Sequence, residues 1–275
     1  MIKRLFRLII LALIIFVIYG LYTGKYNVFK KFFSTGALLK ENKVIYDGND
    51  NISKLSVTLS YTNLIIKDAE NFKIETNNKN VKLENKNGVI KINEEKINVS
   101  FETKDSNLII YLPRDKEFSE IEFTTGAGKI EAENLVTKKL NLKQGAGKID
   151  FKRLTVLDET KVLGGAGSLD IEYGNIYNLN LTMGAGKTNI SALFKGSNKI
   201  TTGVGEFNIN LFNSLNDYKV KINKGIGNIK VNGEEINSNY ENGKGLVSLT
   251  IEGGVGNINL TSNENGSLSN SVGRQ

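Results

Sequence analysis

Two hydrophobic patterns divide the chain. From Leu8 to Gly24 the run LIILALIIFVIYGLYTG carries no charge over seventeen positions, which at 1.5 Å each cover about 26 Å of a hydrocarbon layer about 30 Å thick. It predicts one N-terminal transmembrane helix, extended by Leu5 and Phe6, with Arg7 snorkelling to the interface. From about residue 51 short segments alternate apolar and polar positions instead: LSVTLS, NLIIKD, NFKIET, NVKLEN, GVIKIN and NLIIYLP. Period two, with Asn and Gly between segments, predicts β-strands joined by tight turns.

From Gly126 onward the alternation becomes a repeat. Gly-x-Gly starts at Gly126, Gly145, Gly165, Gly184, Gly203, Gly225 and Gly254, with offsets of 19, 20, 19, 19, 22 and 29 residues. Three positions before the first glycine stand Phe123, Leu142, Val162, Leu181, Ile200, Ile222 and Ile251. Four after it stand Ile130, Ile149, Leu169, Thr188, Phe207, Ile229 and Ile258, and six after it Ala132, Phe151, Ile171, Ile190, Ile209, Val231 and Leu260. These columns read as inward-facing. The middle residues, Ala127 to Val255, share the parity of the strand before the bend, whereas the strand after it faces inward on the other parity. The second glycine therefore resets the alternation, and a Cβ there would meet the identical bend of the next coil. A unit of about 19–20 residues with two strands and one glycine bend predicts an all-β fold. It is a parallel β-solenoid, or β-helix, whose coils stack at about 4.8 Å.

Composition narrows the chemistry. The chain has no His, Cys or Trp, which removes imidazole acid–base chemistry, thiol nucleophiles, disulfides and ordinary zinc sites. Twenty-eight glycines against one proline suit a chain that turns on Gly and Asn. Of the 36 basic residues, seven lie in residues 1–40, which hold no acid, so the remainder is balanced at 29 of each sign. The net +7 belongs to the N-terminal segment, and a neutral body gives no field for tracking nucleic acid.

The division that follows is a transmembrane anchor at 1–24, a juxtamembrane linker at 25–50, the solenoid at 51–261 and a polar tail at 262–275. Lys3, Arg4 and Arg7 would also suit a secretory signal, but Tyr19, Leu21 and Tyr22 stand where cleavage needs small residues. Basic residues flank both ends of the span, so charge leaves its direction open. The short leading tail favours a cytoplasmic N-terminus with the solenoid outside. In the linker Lys25, Phe29, Lys30, Lys31, Phe32 and Phe33 suit a membrane-surface segment, rings in the acyl boundary and lysines on anionic lipid. A short helix leading to the folded domain suits the same residues.

Asn107 to Leu135, NLIIYLPRDKEFSEIEFTTGAGKIEAENL, is an apolar strand ending in Leu-Pro followed by the first Gly-x-Gly repeat. It resembles the β-strand-repeat, putative-adhesin family of bacterial envelope proteins, over about residues 50–261. The resemblance implies a solenoid of unknown biochemical function, often fused to membrane segments and found in envelope-stress settings in Gram-positive bacteria. It brings no catalytic residues.

Three motifs compete with that reading. Gly184 to Thr188 ends like a phosphate-binding loop, but the pattern needs glycine where Leu181 stands, and no helix follows. Gly164 to Asp170 approaches a calcium-binding nonapeptide, yet the Asp is displaced and the other copies lack it. Five positions after the first glycine, Glu131, Asp150 and Asp170 should line up at the coil spacing, near the separation of a retaining glycosidase pair. A flat ladder has no cleft, and Lys129 and Lys148 beside it suggest charge compensation. The expectation is a non-enzymatic, single-pass envelope protein without cofactor, acting as a binding, adhesin-like or scaffold module. Envelope-stress sensing is the alternative, and a glycan-active β-helix enzyme a remote one. Its candidate interaction face is Lys129, Glu131, Lys148, Asp150, Asp170, Asn189 and Asn208. Its expected partners are the membrane and an envelope protein or wall polymer, not nucleic acid. On this outward ladder an Asn189→Asp change is expected to be nearly neutral.

Overall fold

The computed structural model describes residues 41–48, 51–95 and 106–263. The expected anchor, the membrane-surface residues Lys25 to Phe33 and the tail from 264 lie outside the described residues. Among those described, no helix is long and apolar enough to cross a membrane.

The described chain is built of strands. β1 (Lys43–Asp47), β2 (Lys54–Leu59), β3 (Asn63–Ala69), β4 (Lys73–Thr76), β5 (Val81–Lys86), β6 (Val89–Glu94) and β7 (Asn107–Pro113) precede the glycine repeats. The first repeats form β8 (Glu117–Ala132), β9 (Leu135–Tyr177), β10 (Leu179–Lys195) and β11 (Ser197–Leu211). After a 3-10 turn at Leu215–Asp217 come β12 (Tyr218–Asn223), β13 (Ile229–Val231), β14 (Glu234–Ile236), β15 (Tyr240–Asn242), β16 (Val247–Glu252) and β17 (Val255–Ser262).

The repeat register is the one the columns imply. β8 pairs in parallel with β9, β9 with β10 and β10 with β11, each Gly-x-Gly lying on the next. All three apolar columns are buried, from Phe123, Ile130 and Phe151 in the early coils to Phe207, Ile209 and Ile258 in the late ones. The coil has three inward-facing sides, not the two strands read from the sequence. Within 135–153 the adjacent exposed pairs Lys138–Lys139, Gly145–Ala146 and Lys152–Arg153 mark three corners, and each resets the alternation. Leu154 and Val156 begin the next coil's first side, buried like the rest.

The glycine corner is a backbone-on-backbone contact. The second glycine of each pair has positive φ, for example +134° at Gly167 and +131° at Gly186. A Cβ added at Gly186 would fall inside the Gly167 carbonyl oxygen, one at Gly167 inside that of Gly147, and one at Gly205 inside that of Gly186. No side chain fits that stack at any cost short of separating the coils. The middle residues point out of the bend, contrary to their parity with the preceding strand. Val204, Val255 and Ile226 are all exposed, Ile226 by 74%.

The coils do not stack in chain order at either end. Gly254 and Gly256 lie on Gly203 and Gly205, and Gly225 and Gly227 lie on Gly254 and Gly256 in turn. β16 and β17 thus sit between β11 on one side and β12 and β13 on the other. After Leu211 the chain skips one coil position, builds β12 and β13, and returns to fill the gap. The other end mirrors this: β2 and β3 lie between β8 and the coil made of β6 and β7. Both outermost coils are covered by antiparallel strands. β5 covers β6 and β4 covers β7, while β15 covers β12 and β14 covers β13. β1, within the stretch expected to be linker, is a strand of this cap and pairs antiparallel with β4. The solenoid is therefore parallel in its body and antiparallel at its ends.

At the first end a carboxylate closes the glycine corner. In the β2–β3 coil the bend is Ser60–Thr62, and Ser60 O accepts the Ala127 N–H at 2.7 Å. On its other side Glu94 Oε2 accepts the N–H groups of Ser60, Tyr61 and Thr62 at 2.6, 3.1 and 3.4 Å. Glu94 Oε1 accepts from Thr62 Oγ1 and Asn78 Nδ2, both at 2.7 Å, and the residue is 7% exposed. One buried side chain thus satisfies three successive backbone donors of this bend.

The corner contact separates two glycine substitutions that local conformation alone would rank together. Gly167→Ala places a Cβ in the neighbouring carbonyl and should cost about 3–5 kcal/mol. Gly233→Ala also has a positive φ, +87°, but has nothing within 4 Å of the added atom, and should cost about 1–2 kcal/mol. Urea unfolding of both variants checks this. Equal midpoints would assign the cost to φ and not to the stack.

Candidate functional site

The stack brings the expected ladder into register. Glu131 lies beside Asp150, Asn189 beside Asp170, Asn208 beside Asn189, Asn259 beside Asn208 and Lys230 beside Asn259. Two positions earlier along each strand, Lys129, Lys148 and Lys187 stand in a parallel column. Strand parity puts both columns outward, and coil spacing puts equivalent side chains within reach of one another.

Those side chains bond mainly to each other. Asn189 Nδ2 donates to Asp170 Oδ1 at 2.5 Å, Asn208 Nδ2 to Asn189 Oδ1 at 2.8 Å, and Asn259 Nδ2 to Asn208 Oδ1 at 2.7 Å. The carboxylate end is compensated by lysine. Lys129 pairs with Glu131, and Lys148 reaches Asp150 at 2.6 Å and Asp170 at 3.9 Å. The hydrogen bond to Asp150 raises the Lys148 pKa against an opposing desolvation cost, with the charges of Asp150, Asp170 and Glu131 adding to the rise. Glu206 is held below the usual carboxylate range, first by the Asn208 amide at 2.8 Å and then by the Lys187 charge, against some desolvation. Within the stack these groups are partnered by one another. The ladder knits the coils together and keeps their outer face polar.

The rejected motifs are strand segments. Gly184 to Thr188 lies within β10, and the Thr188 hydroxyl that a phosphate loop would present is buried in the core. Among the described residues no cluster of three or more His, Cys, Asp or Glu side chains is placed to hold a metal ion.

Uncommitted groups lie at a different corner, which sequence reasoning missed. Where β9 and β10 run past the end of β11, a groove of about 300 Å3 is lined by Arg153, Thr155, Tyr173, Asn175, Leu193 and Phe212, among others. Tyr173 is 60% exposed, and its ring lies 6.1 Å from that of Phe212, tilted by 39°. Gly174 beside it has no room for a side chain, since a Cβ would meet the Ala192 Cβ at 2.7 Å. The groove exists because the chain leaves the stack after Leu211. Among the described residues the third side has no further coil there, and the buried Tyr218, whose hydroxyl accepts the Phe194 N–H at 3.4 Å, fills the interior instead. Burial raises the Tyr218 pKa, so the phenol stays protonated at neutral pH. The only sequence signal for this site is two aromatic residues, Tyr173 and Phe212, at outward positions.

The family model described as Toastrack DUF4097 matches residues 52–268. The chain belongs to this family. The Toastrack match begins at Ile52, the first buried residue of the β2 coil, and so leaves out the β1 cap strand. Three solved structures are similar in fold. A "putative cell adhesion protein" from Clostridium sporogenes is 20% identical, with 81% of this chain and 98% of that chain covered and a TM-score of 0.35. A "putative adhesin" from Bacteroides fragilis is 12% identical, with 80% and 97% covered and a TM-score of 0.47. A "putative adhesin" from Parabacteroides distasonis is 13% identical, with 81% and 96% covered and a TM-score of 0.34. No curated protein matches the chain. Neither the Toastrack description nor these names point to an enzymatic activity.

The amide ladder reverses the expectation for Asn189. With its donor bonded to Asp170, Asn189→Asp removes that hydrogen bond and sets two carboxylates side by side. It should destabilise by about 1–3 kcal/mol at pH 7. Like-charge contact raises the folded-state pKa of the new pair above its unfolded value, so the deficit is present at neutral pH. It should narrow as pH falls through the carboxylate range. Denaturation at pH 7 and at pH 4 checks both parts, and an equal deficit at the two would rule out charge as the cause.

Proposed function

We propose that the chain is a non-enzymatic binding module of the cell envelope, held at the membrane by residues 1–24 with its solenoid outside. The uncharged run from Leu8 to Gly24 supports the anchor. One observation carries the binding reading: the groove beside Tyr173 and Phe212 holds an exposed tyrosine ring and, in Arg153, a guanidinium with no ion pair among the described residues, whereas the ladder's polar groups are satisfied within the stack. A recognition surface needs groups free to exchange water for ligand, and a rigid frame lowers the ordering cost of using them. The Lys25–Phe33 segment would lie in the headgroup layer below.

Full-length chain in detergent should co-sediment with delipidated envelope polymer from the cells that make it. In intact cells Ser267→Cys, in a chain with no native cysteine, should react with a membrane-impermeant maleimide. A chain left in the supernatant would end the binding reading, and labelling only after lysis would reverse the orientation.

A further inference from the structure

We infer that the groove beside Tyr173 and Phe212 binds one acidic sugar unit of a longer glycan. The inference rests on the binding-module reading and adds the site and the ligand class.

Three features of the lining point the same way. First, Arg153 is the only cation on it and no carboxylate lines it. Among the described residues the Arg153 guanidinium has no ion pair, whereas Lys129, Lys148 and Lys187 on the ladder are all paired. A guanidinium left free at the side of a groove is matched by a carboxylate or phosphate, which it can hold through two parallel bonds. Second, the Tyr173 and Phe212 rings form a tilted apolar wall, with Leu193 also on the lining. Such a wall suits the C–H face of a sugar ring, which is apolar while its rim is hydroxylated. Third, Thr155 and Asn213 share the lining with the rings and put hydrogen-bonding groups where the hydroxylated rim of a sugar can meet them.

Size and shape limit the occupant further. About 300 Å3 is at the low end for small-ligand sites, and the groove is open along the surface. One ring can lie in it while the rest of a polymer continues outside. The anion can be a ring carboxylate or a phosphate ester, and Arg153 reads the charge they share.

The test uses full-length chain in detergent, titrated with a galacturonic acid trimer, glucose 6-phosphate and the neutral galactose trimer. The acidic trimer should bind at least about tenfold more tightly than the neutral one at low salt, with a gap that shrinks as salt is added. Glucose 6-phosphate shows whether phosphate substitutes for carboxylate. Arg153→Gln should remove that preference, so that the acidic and neutral trimers bind alike. Tyr173→Ala should weaken both trimers about five- to tenfold. Both side chains are on the surface, so melting temperatures should match wild type. The inference is overturned if no sugar binds, if both variants bind as wild type, or if a triglutamate peptide binds better than the acidic trimer, which would assign the groove to a protein partner. Envelope co-sedimentation separates the two levels. Undiminished sedimentation of Arg153→Gln would overturn the groove assignment while the binding-module reading stands. Wild type that binds the trimer but not the envelope would do the opposite.

Discussion

The stack depends on one contact, the approach of each second glycine to the carbonyl of the coil below. At Gly147, Gly167, Gly186 and Gly205 the backbone turns at positive φ with no room for a Cβ between coils. That proximity sets the register of every other column. Once Gly167 lies on Gly147, Leu169 must lie over Ile149 and Asp170 over Asp150. The apolar columns then fill the interior, and the outward polar column becomes the amide and ion-pair ladder that ties coil to coil. Hydrophobic burial supplies the driving force, but it would tolerate a slip of two residues along a strand. The glycine corner does not.

A stack of this kind has the general weakness of open edges, whose unpaired N–H and C=O groups invite further strands. Here each end is closed by short antiparallel strands carrying charge, Lys82, Glu84 and Lys86 on β5 and Glu234 and Glu235 on β14. Glu94 does the same for the glycine corner, accepting three successive backbone N–H groups of the bend. The groove follows from the same end-construction. The chain leaves the third side at Leu211 to reach a farther coil, and among the described residues the outer face of the last complete side is left open beside Phe212.

The body of the fold was legible in the sequence because it is periodic, and the departures from it are where the period fails. Ile130, Ile149 and Leu169 announce their column by spacing alone. The third side was missed because Lys138–Lys139 and Lys152–Arg153, two adjacent polar residues each, carry no glycine to mark them as corners. The order of the terminal coils could not be read from similarity. Gly225-Ile226-Gly227 and Gly254-Val255-Gly256 match the repeat equally well, and nothing in a repeat unit says which neighbour it will touch. The offsets of 22 and 29 residues were the trace of that rearrangement. The ladder residues were identified, but the hydrogen bonds among them depend on which amide end faces which carboxylate. The groove combines residues from coils of unequal length, so no single spacing reveals it.

The filled gap at the C-terminal end changes how the molecule would bear a pulling force. In a solenoid wound in chain order, tension on the tail meets the outermost coil and unwinds it one turn at a time. In this molecule the last described strand, β17, is bonded along one edge to β11 and along the other to β13. A load applied beyond Ser262 therefore acts on a strand clamped from both sides. It must shear two sets of hydrogen bonds together before any coil can peel. The final turn works as a wedge in the stack, and the same chain wound in simple order would present a loose end.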